Sequence, residues 1–315
     1  MIIYCANRSK KTVFLSDVKN VIMDTTEKKK MSILVPTDFS ETCENAIRHA
    51  VIYSKSFDGS IYVLHVVAND EKASKDTNVE NEIGSFFSDI ESQAIDLIND
   101  LSNKYPDVNI IPVVRKGDIF TEINAVAEEF DADLIILGTH GKKGFQKIVG
   151  SYALKVIDST KVSVIVVQDD AVMDGFNNIV FPVNINTEDR QKAESAILLA
   201  RETGATIHLF PKIESIAANK TKVTNVLRQL KAFFDKYSVA SIIVENKETS
   251  GSFEDQIIKY SLKVNADLIL ILSDPSSHFP LLGNKEENLM FNSSLIPVMC
   301  INERKFKSSK FSVVG

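Results

Sequence analysis

Tryptophan is absent from this chain, and cysteine occurs three times in 315 residues. Cys5, Cys43 and Cys300 lie far apart and form no CxxC pair, so neither a disulfide framework nor a zinc site is expected, and a reducing cytoplasm fits. Positive charge is also in short supply, with 36 Lys and Arg against 42 Asp and Glu and a net charge of -6. A protein that tracks nucleic-acid phosphates carries a basic footprint, so no nucleic-acid partner is expected. No stretch reaches the ~18 uninterrupted apolar residues of a membrane span, and the first thirty residues hold no apolar run of signal-peptide length. The expected location is the cytoplasm, with no membrane partner. The five histidines, His49, His65, His140, His208 and His278, show no metal-ligand spacing. No Walker A, GxSxG or HExxH motif is present, so no catalytic residue and no metal site are assigned.

What is present is an ordinary globular composition, 44% hydrophobic and 25% charged, at a length suited to about two domains. The chain repeats itself. Ile33-Leu34-Val35-Pro36-Thr37-Asp38 matches Ile179-Val180-Phe181-Pro182-Val183-Asn184 at an offset of 146 residues. The stripe Cys43, Ala46, Ile47, Ala50, Val51 has helical spacing, and Ala193, Ala196, Ile197 and Ala200 keep that spacing in the second copy. Further on, Asp131 to Leu137 matches Asn265 to Ile271 at an offset of 134, so the second copy has lost twelve residues. The loss is expected near Asn69 to Glu80, a polar run with no equivalent after Leu209-Phe210-Pro211.

Apolar β-branched runs alternate with helical patterns in each copy: SILVP, SIYVLHVV, VNIIPVV, ADLIILG and VSVIVVQ in the first. Strands rich in Val, Ile and Leu with little alternation are buried on both faces, which marks a parallel sheet. The expected fold class is α/β, two tandem doubly wound domains of five parallel strands each. The boundaries read as an extension over 1–30, ending in Glu27-Lys28-Lys29-Lys30, a first domain over 31–170, a second over 177–303, and a tail over 304–315. Gly175 is the expected flexible point of the linker. Thr12 to Phe14 and Val18 to Met23 offer an alternative for the extension, a strand or helix lying on the first domain.

In such sheets ligands bind outside the carboxyl ends of the strands, where the strand order reverses. Asp38 follows the first strand, and Leu137 to Ser151, with four glycines in fifteen positions, follows the fourth. Glycines at a strand-to-helix junction let backbone N–H groups approach an anion, and the helix start adds partial positive charge.

These residues resemble the universal stress proteins, through "ILVPTDFS" at Ile33 to Ser40, "LHVV" at Leu64 to Val67, and "ADLIILGTHG" leading through "GSYALKVI" to "VSVIVVQ". The resemblance covers the chain from Met31 as a tandem pair. It implies a Rossmann-like fold, pairing through the last strand of each domain, and, in one subclass, ATP bound through G-x2-G-x9-G-(S/T). Gly138, Thr139, His140 and Gly141 supply the start and Gly150-Ser151 the end, but eight residues, Lys142 to Val149, lie between. One residue spans up to ~3.3 to 3.6 Å, more than the tolerance of a phosphate hydrogen bond, unless the extra Gly144 absorbs the difference. The resemblance places Pro36, Thr37, Asp38 and Val66 near adenosine and Gly138, Thr139, His140, Gly141, Gly150 and Ser151 around the phosphates, with ATP, alone or with Mg, as the cofactor. The residues read equally as structure: Asp38 as a turn residue, Gly150 as a steric necessity, Ser151 as a helix cap.

In the second copy Asn184 replaces the aspartate, Ser273 to Pro280 replaces the glycines, and only Gly283-Asn284 is similar to the final Gly-Ser. Prolines remove N–H donors and fix φ, so this copy is expected to bind nothing and to serve as a partner for the first. Val162 to Gln168 and Leu295 to Ile301 are the expected edge strands where the halves meet, since an unpaired edge is a hazard; a homodimer is a further partner the resemblance implies. Two functions stand: a stress-response module regulated by adenine nucleotide, with at most weak ATP hydrolysis, and an interaction module whose pocket has lapsed.

Overall fold

The computed structural model describes residues 30–68, 77–139, 150–168, 171, 175–185, 189–248, 250–273 and 285–302. Most of the 1–30 extension, the 304–315 tail, His140, Gly141, the glycine-rich segment up to Val149 and the Asp274 to Asn284 segment lie outside the described residues. The first half runs β1 (Ser32–Pro36), α1 (Glu41–Phe57), β2 (Ser60–Val67), α2 (Thr77–Lys104), β3 (Asn109–Lys116), α3 (Ile119–Glu129), β4 (Leu134–Thr139), α4 (Gly150–Ser159) and β5 (Ser163–Gln168). The second follows with β6 (Asn178–Val183), α5 (Asp189–Thr203), β7 (Thr206–Pro211), α6 (Ala217–Lys236), β8 (Ser241–Ile243), α7 (Phe253–Lys263), β9 (Leu268–Ser273), α8 (Lys285–Met290) and β10 (Val298–Asn302).

The ten strands form one sheet in the order β3-β2-β1-β4-β5-β10-β9-β6-β7-β8. Within each half every pairing is parallel. At the centre β10 runs antiparallel to β5, with Val298 opposite Val166 and Cys300 opposite Val164. This is the α/β, doubly wound architecture that the alternating pattern implies. Among the described residues no helix is long and apolar enough to cross a membrane.

Strand alternation divides the core into two layers. Ile33, Val35, Ile61, Val63 and Ile136 point to one face and pack with Ala46, Ile47, Ala50 and Val51 of α1. Leu34, Leu64, Ile135 and Leu137 point to the other, against Ile123 and Val126 of α3 and Ala153 to Ile157 of α4. Both faces being covered explains why the strands show so little polar alternation.

Two details differ from the sequence pattern. Thr77 to Glu80, expected to belong to the extra polar run, is the first turn of α2, whose 28 residues exceed the 20 of α6. Much of the length difference is therefore helix. The last strand begins at Val298, because Leu295 takes a left-handed φ of 59° and Pro297 has no N–H to give to a ladder.

Candidate nucleotide crevice at the strand order reversal

β1 lies between β2 and β4, and the helices that follow β1 and β4 cover opposite faces of the sheet. In open α/β sheets such diverging helix starts mark the ligand crevice beyond the carboxyl ends of the strands. Thr37, buried just after β1, is held three ways. Its N–H donates to the Leu64 carbonyl at 2.8 Å, its carbonyl accepts from His65 Nδ1 at 3.0 Å, and its Oγ1 accepts the Phe39 N–H at 2.9 Å. Phe39 takes φ 63°, rare for a bulky residue, and its ring rests on His65 with centroids 4.8 Å apart. These contacts hold the strained loop that presents Asp38.

Asp38 Oδ1 accepts the Ser40 N–H at 2.9 Å and the Cys43 thiol at 3.2 Å. Ser40 caps α1, accepting the Cys43 N–H at 3.4 Å. Partial burial pushes the Asp38 carboxyl up, but the hydrogen bonds from Ser40 and Cys43 outweigh it and hold the group below the usual carboxylate range. The same thiol is itself pushed up by burial. The Ser40 side chain adds a further hydrogen bond to the carboxylate. Asp38 is thus an ionised, exposed acceptor whose Oδ1 is committed to the turn.

Gly138 is bare for a local reason. A Cβ there would lie 2.4 Å from the Thr42 carbonyl oxygen, so the glycine lets the first turn of α1 settle on β4. Thr139 ends β4, buried at 3% exposure, and its Oγ1 has no hydrogen-bond partner among the described residues. Gly150 and Ser151 form the first turn of α4. Val66 is half-buried near the end of β2, level with Arg115 of β3. Of the residues proposed from the sequence, Pro36, Thr37, Asp38, Val66, Gly138 and Thr139 all lie at the carboxyl ends of β1, β2 and β4. Cys43 and the Phe39–His65 pair were missed, since they follow from a helix start folding back on a loop. Among the described residues no group of three or more His, Cys, Asp or Glu side chains is placed to hold a metal.

The universal stress protein family profile matches residues 31–168. Universal stress protein MJ0531 of Methanocaldococcus jannaschii is 31% identical over 153 residues, spanning 48% of this chain and 89% of that protein. The chain belongs to the universal stress protein family. Universal stress protein MJ0577 of the same archaeon is 27% identical over 151 residues, covering 43% of this chain and 93% of its own length. A crystal structure of a universal stress protein from Archaeoglobus fulgidus DSM 4304 superposes with a TM-score of 0.69 at 20% identity. It covers 86% of this chain and 98% of its own, which extends the shared fold across both halves.

The second half of this universal stress protein carries larger side chains at the corresponding positions. Leu272 stands at the repeat position of Gly138 and Lys192 at that of Ala46. Lys192 is 5% exposed, donates to the Pro182 carbonyl at 2.5 Å, and places its ammonium 4.2 Å from the Phe181 ring centroid. A carbonyl at the end of β6 and the space beside it are therefore already taken. The sequence pattern hid this, because a lysine in the first turns of a helix reads as solvated.

Proposed function

We propose that the first half of this universal stress protein binds ATP or a related adenine nucleotide as a regulatory ligand, while the second half binds none and serves as its internal partner. The observation that carries the reading is Asp38. Its carboxylate is fixed, ionised and exposed at the strand order reversal, where it can accept from a hydroxyl or amino donor of a nucleoside, while α4 begins at Gly150 on the far side of the crevice. Thr37, Val66 and Thr139 complete the wall, and His140, Gly141 and Ser151 are assigned to the phosphates from the family pattern. Magnesium, if required, would arrive on the phosphates. The setting is a cytoplasmic stress response in which occupancy, and not turnover, is the signal, and a homodimer is a further assembly consistent with it.

Isothermal titration of the full chain with ATP tests this: one site per chain is expected, abolished by Gly150→Val. Asp38→Ala should weaken binding by ~1 to 3 kcal/mol, the loss of a charged hydrogen bond. No heat and no thermal shift with any adenine nucleotide would reject the reading. The interaction-module reading would then stand, and it has a specific support: the turn at Asp38 and the packing at Gly138 each account for those residues without a ligand.

A further inference from the structure

Four helices cover one face of the ten-stranded sheet. α1, α2, α5 and α6 send Ala46, Ile98, Ala193 and Leu227 into the same core layer. The strand order puts α2, between β2 and β3, at one end of that layer and α6, between β7 and β8, at the other. These two helices hold the same place in the repeat and opposite charge. α2 contains six Asp and Glu against one Lys, and α6 contains five Lys and Arg against one Asp. Between them α1 and α5 are balanced, two against two and three against three. The layer therefore runs from acid to base across the molecule.

On both helices the charge faces outward. Asp89, Gln93, Asp96 and Asp100 are exposed at i, i+4, i+7 and i+11, which sets them in one stripe. None of the three aspartates makes an ion pair among the described residues, and the lysine of α2, Lys104, is held by Glu44 of α1 at 2.6 Å. On α6 Lys231 pairs with Asp235, while Lys220, Lys222, Arg228 and Lys236 are exposed with no acidic partner among the described residues. Apolar side chains stand beside both sets: Leu97 of α2 is 48% exposed, and Ile213 and Ile216, just ahead of α6, are 44% and 63% exposed.

We propose that this helical face binds a second copy of the chain, with α2 of each copy against α6 of the other. A two-fold axis along the strand direction lays the acidic end over the basic end at both ends of the interface, an isologous contact. Within one chain α2 and α6 run in opposite directions, because β5 and β10 meet antiparallel, so the facing helices are antiparallel as well. Lys220 and Lys222 at the start of α6 then lie toward the partner's Asp96 and Asp100. A two-fold axis across the strands would set α2 on α2 and α6 on α6, and like charges oppose that arrangement. The helices, with 28 and 20 residues, are about 42 and 30 Å long, a length suited to the ~800 Å² per partner of a stable interface. The surface is distinct from the last strands, since β5 and β10 already satisfy each other inside the chain.

Sedimentation velocity on the full chain tests the proposal. A dimer is expected in low salt, dissociating as salt rises and the exposed charges are screened. Lys220→Glu with Lys222→Glu and Arg228→Glu reverses α6, and Asp89→Lys with Asp96→Lys and Asp100→Lys reverses the stripe of α2. Each triple variant should weaken its own dimer roughly tenfold or more, through like-charge contact at both ends. Mixed in equal amounts, the two variants should pair with each other as tightly as the original chain, because acid again meets base at both ends, and all six substitutions in one chain should restore the homodimer. That restoration requires both variants to be folded, so misfolding does not imitate it. An original chain that is monomeric in low salt overturns the inference and leaves the two helices to other charged proteins. A dimer that withstands both reversals, or variants that fail to restore each other, overturns it by placing the contact elsewhere.

Discussion

Single residues here answer to contacts that span the chain. Asp38 was legible because an aspartate just after a first strand, beside a reversal, has few places to go. The reason for Gly138 was not legible, since the Thr42 carbonyl that needs the space lies almost a hundred positions away in sequence. Gly138→Ala should therefore destabilise the fold by ~1 to 3 kcal/mol, the range for forced overpacking, read as a lower urea midpoint at unchanged slope. An unchanged midpoint would mean that α1 gives way at little cost. The histidines make a second prediction at this scale. His49 is pushed down by burial, against a hydrogen bond to the Asn45 carbonyl at 2.9 Å that pulls the other way, and His208 is pushed down by burial. Both folded values lie below the unfolded value of about 6.5, so the unfolded chain binds more protons under it. Their contribution is complete at neutral pH and is lost as pH falls below about 6.5. The carboxylates held low, such as Asp38 and Glu44, lose theirs only further down, below about 4. Urea midpoints should thus begin to fall between about pH 6.5 and 5, above the range in which the carboxylates held low titrate, and His49→Gln with His208→Gln should flatten that first step.

At the level of elements, α1 links the crevice to the middle of the molecule. Its start is fixed by Ser40 beside Asp38, and two residues past Cys43 the Asn45 amide donates to the carbonyls of Gln168 and Ala171 at 2.8 and 3.1 Å. Two turns on, Tyr53 packs edge to face with Phe176 at 4.5 Å. The apolar half of this helix was plain in its spacing; the polar residues on its buried side were not, because partners such as those of Asn45 lie at the end of β5 and in the linker. Asn45→Ala leaves two buried carbonyls without this donor and should cost ~1 to 3 kcal/mol, whereas Glu41→Ala, exposed on the same helix, should stay within about 0.5 kcal/mol. Equal effects in chemical denaturation would show that the contact to the linker does not matter. The strands were equally readable where both faces are covered. The three-residue β8 was the exception, with Ile242 and Ile243 each about half exposed, since an edge with little packing leaves little pattern.

At the scale of the whole molecule, the reciprocal contacts across the centre decide how the halves behave apart. β5 and β10 share an antiparallel ladder, and the last residue of each strand reaches into the other half. Gln168 Nε2 donates to the Asn292 carbonyl at 2.8 Å. Asn302 Nδ2 lies 3.0 Å from the carbonyls of Ile157, Thr160 and Val162. These positions correspond at the 134-residue offset, so one sequence position in the repeat makes the same kind of crossing contact in both directions, as in an isologous pair. A fragment of residues 31–168 would lose the β10 ladder and expose Val164 and Val166 along an open edge, the condition that drives strands to pair with another copy. We predict that this fragment, refolded alone, self-associates through β5, whereas the full chain, whose β5 edge is already paired, does not assemble through that strand. Light scattering on both, with Val166→Pro in the fragment to remove an edge N–H, checks it. The proline should return the fragment to a monomer. A soluble, monomeric and cooperatively folded fragment without that substitution would show instead that the first half is complete without its partner and that the central ladder is a convenience of the tandem chain.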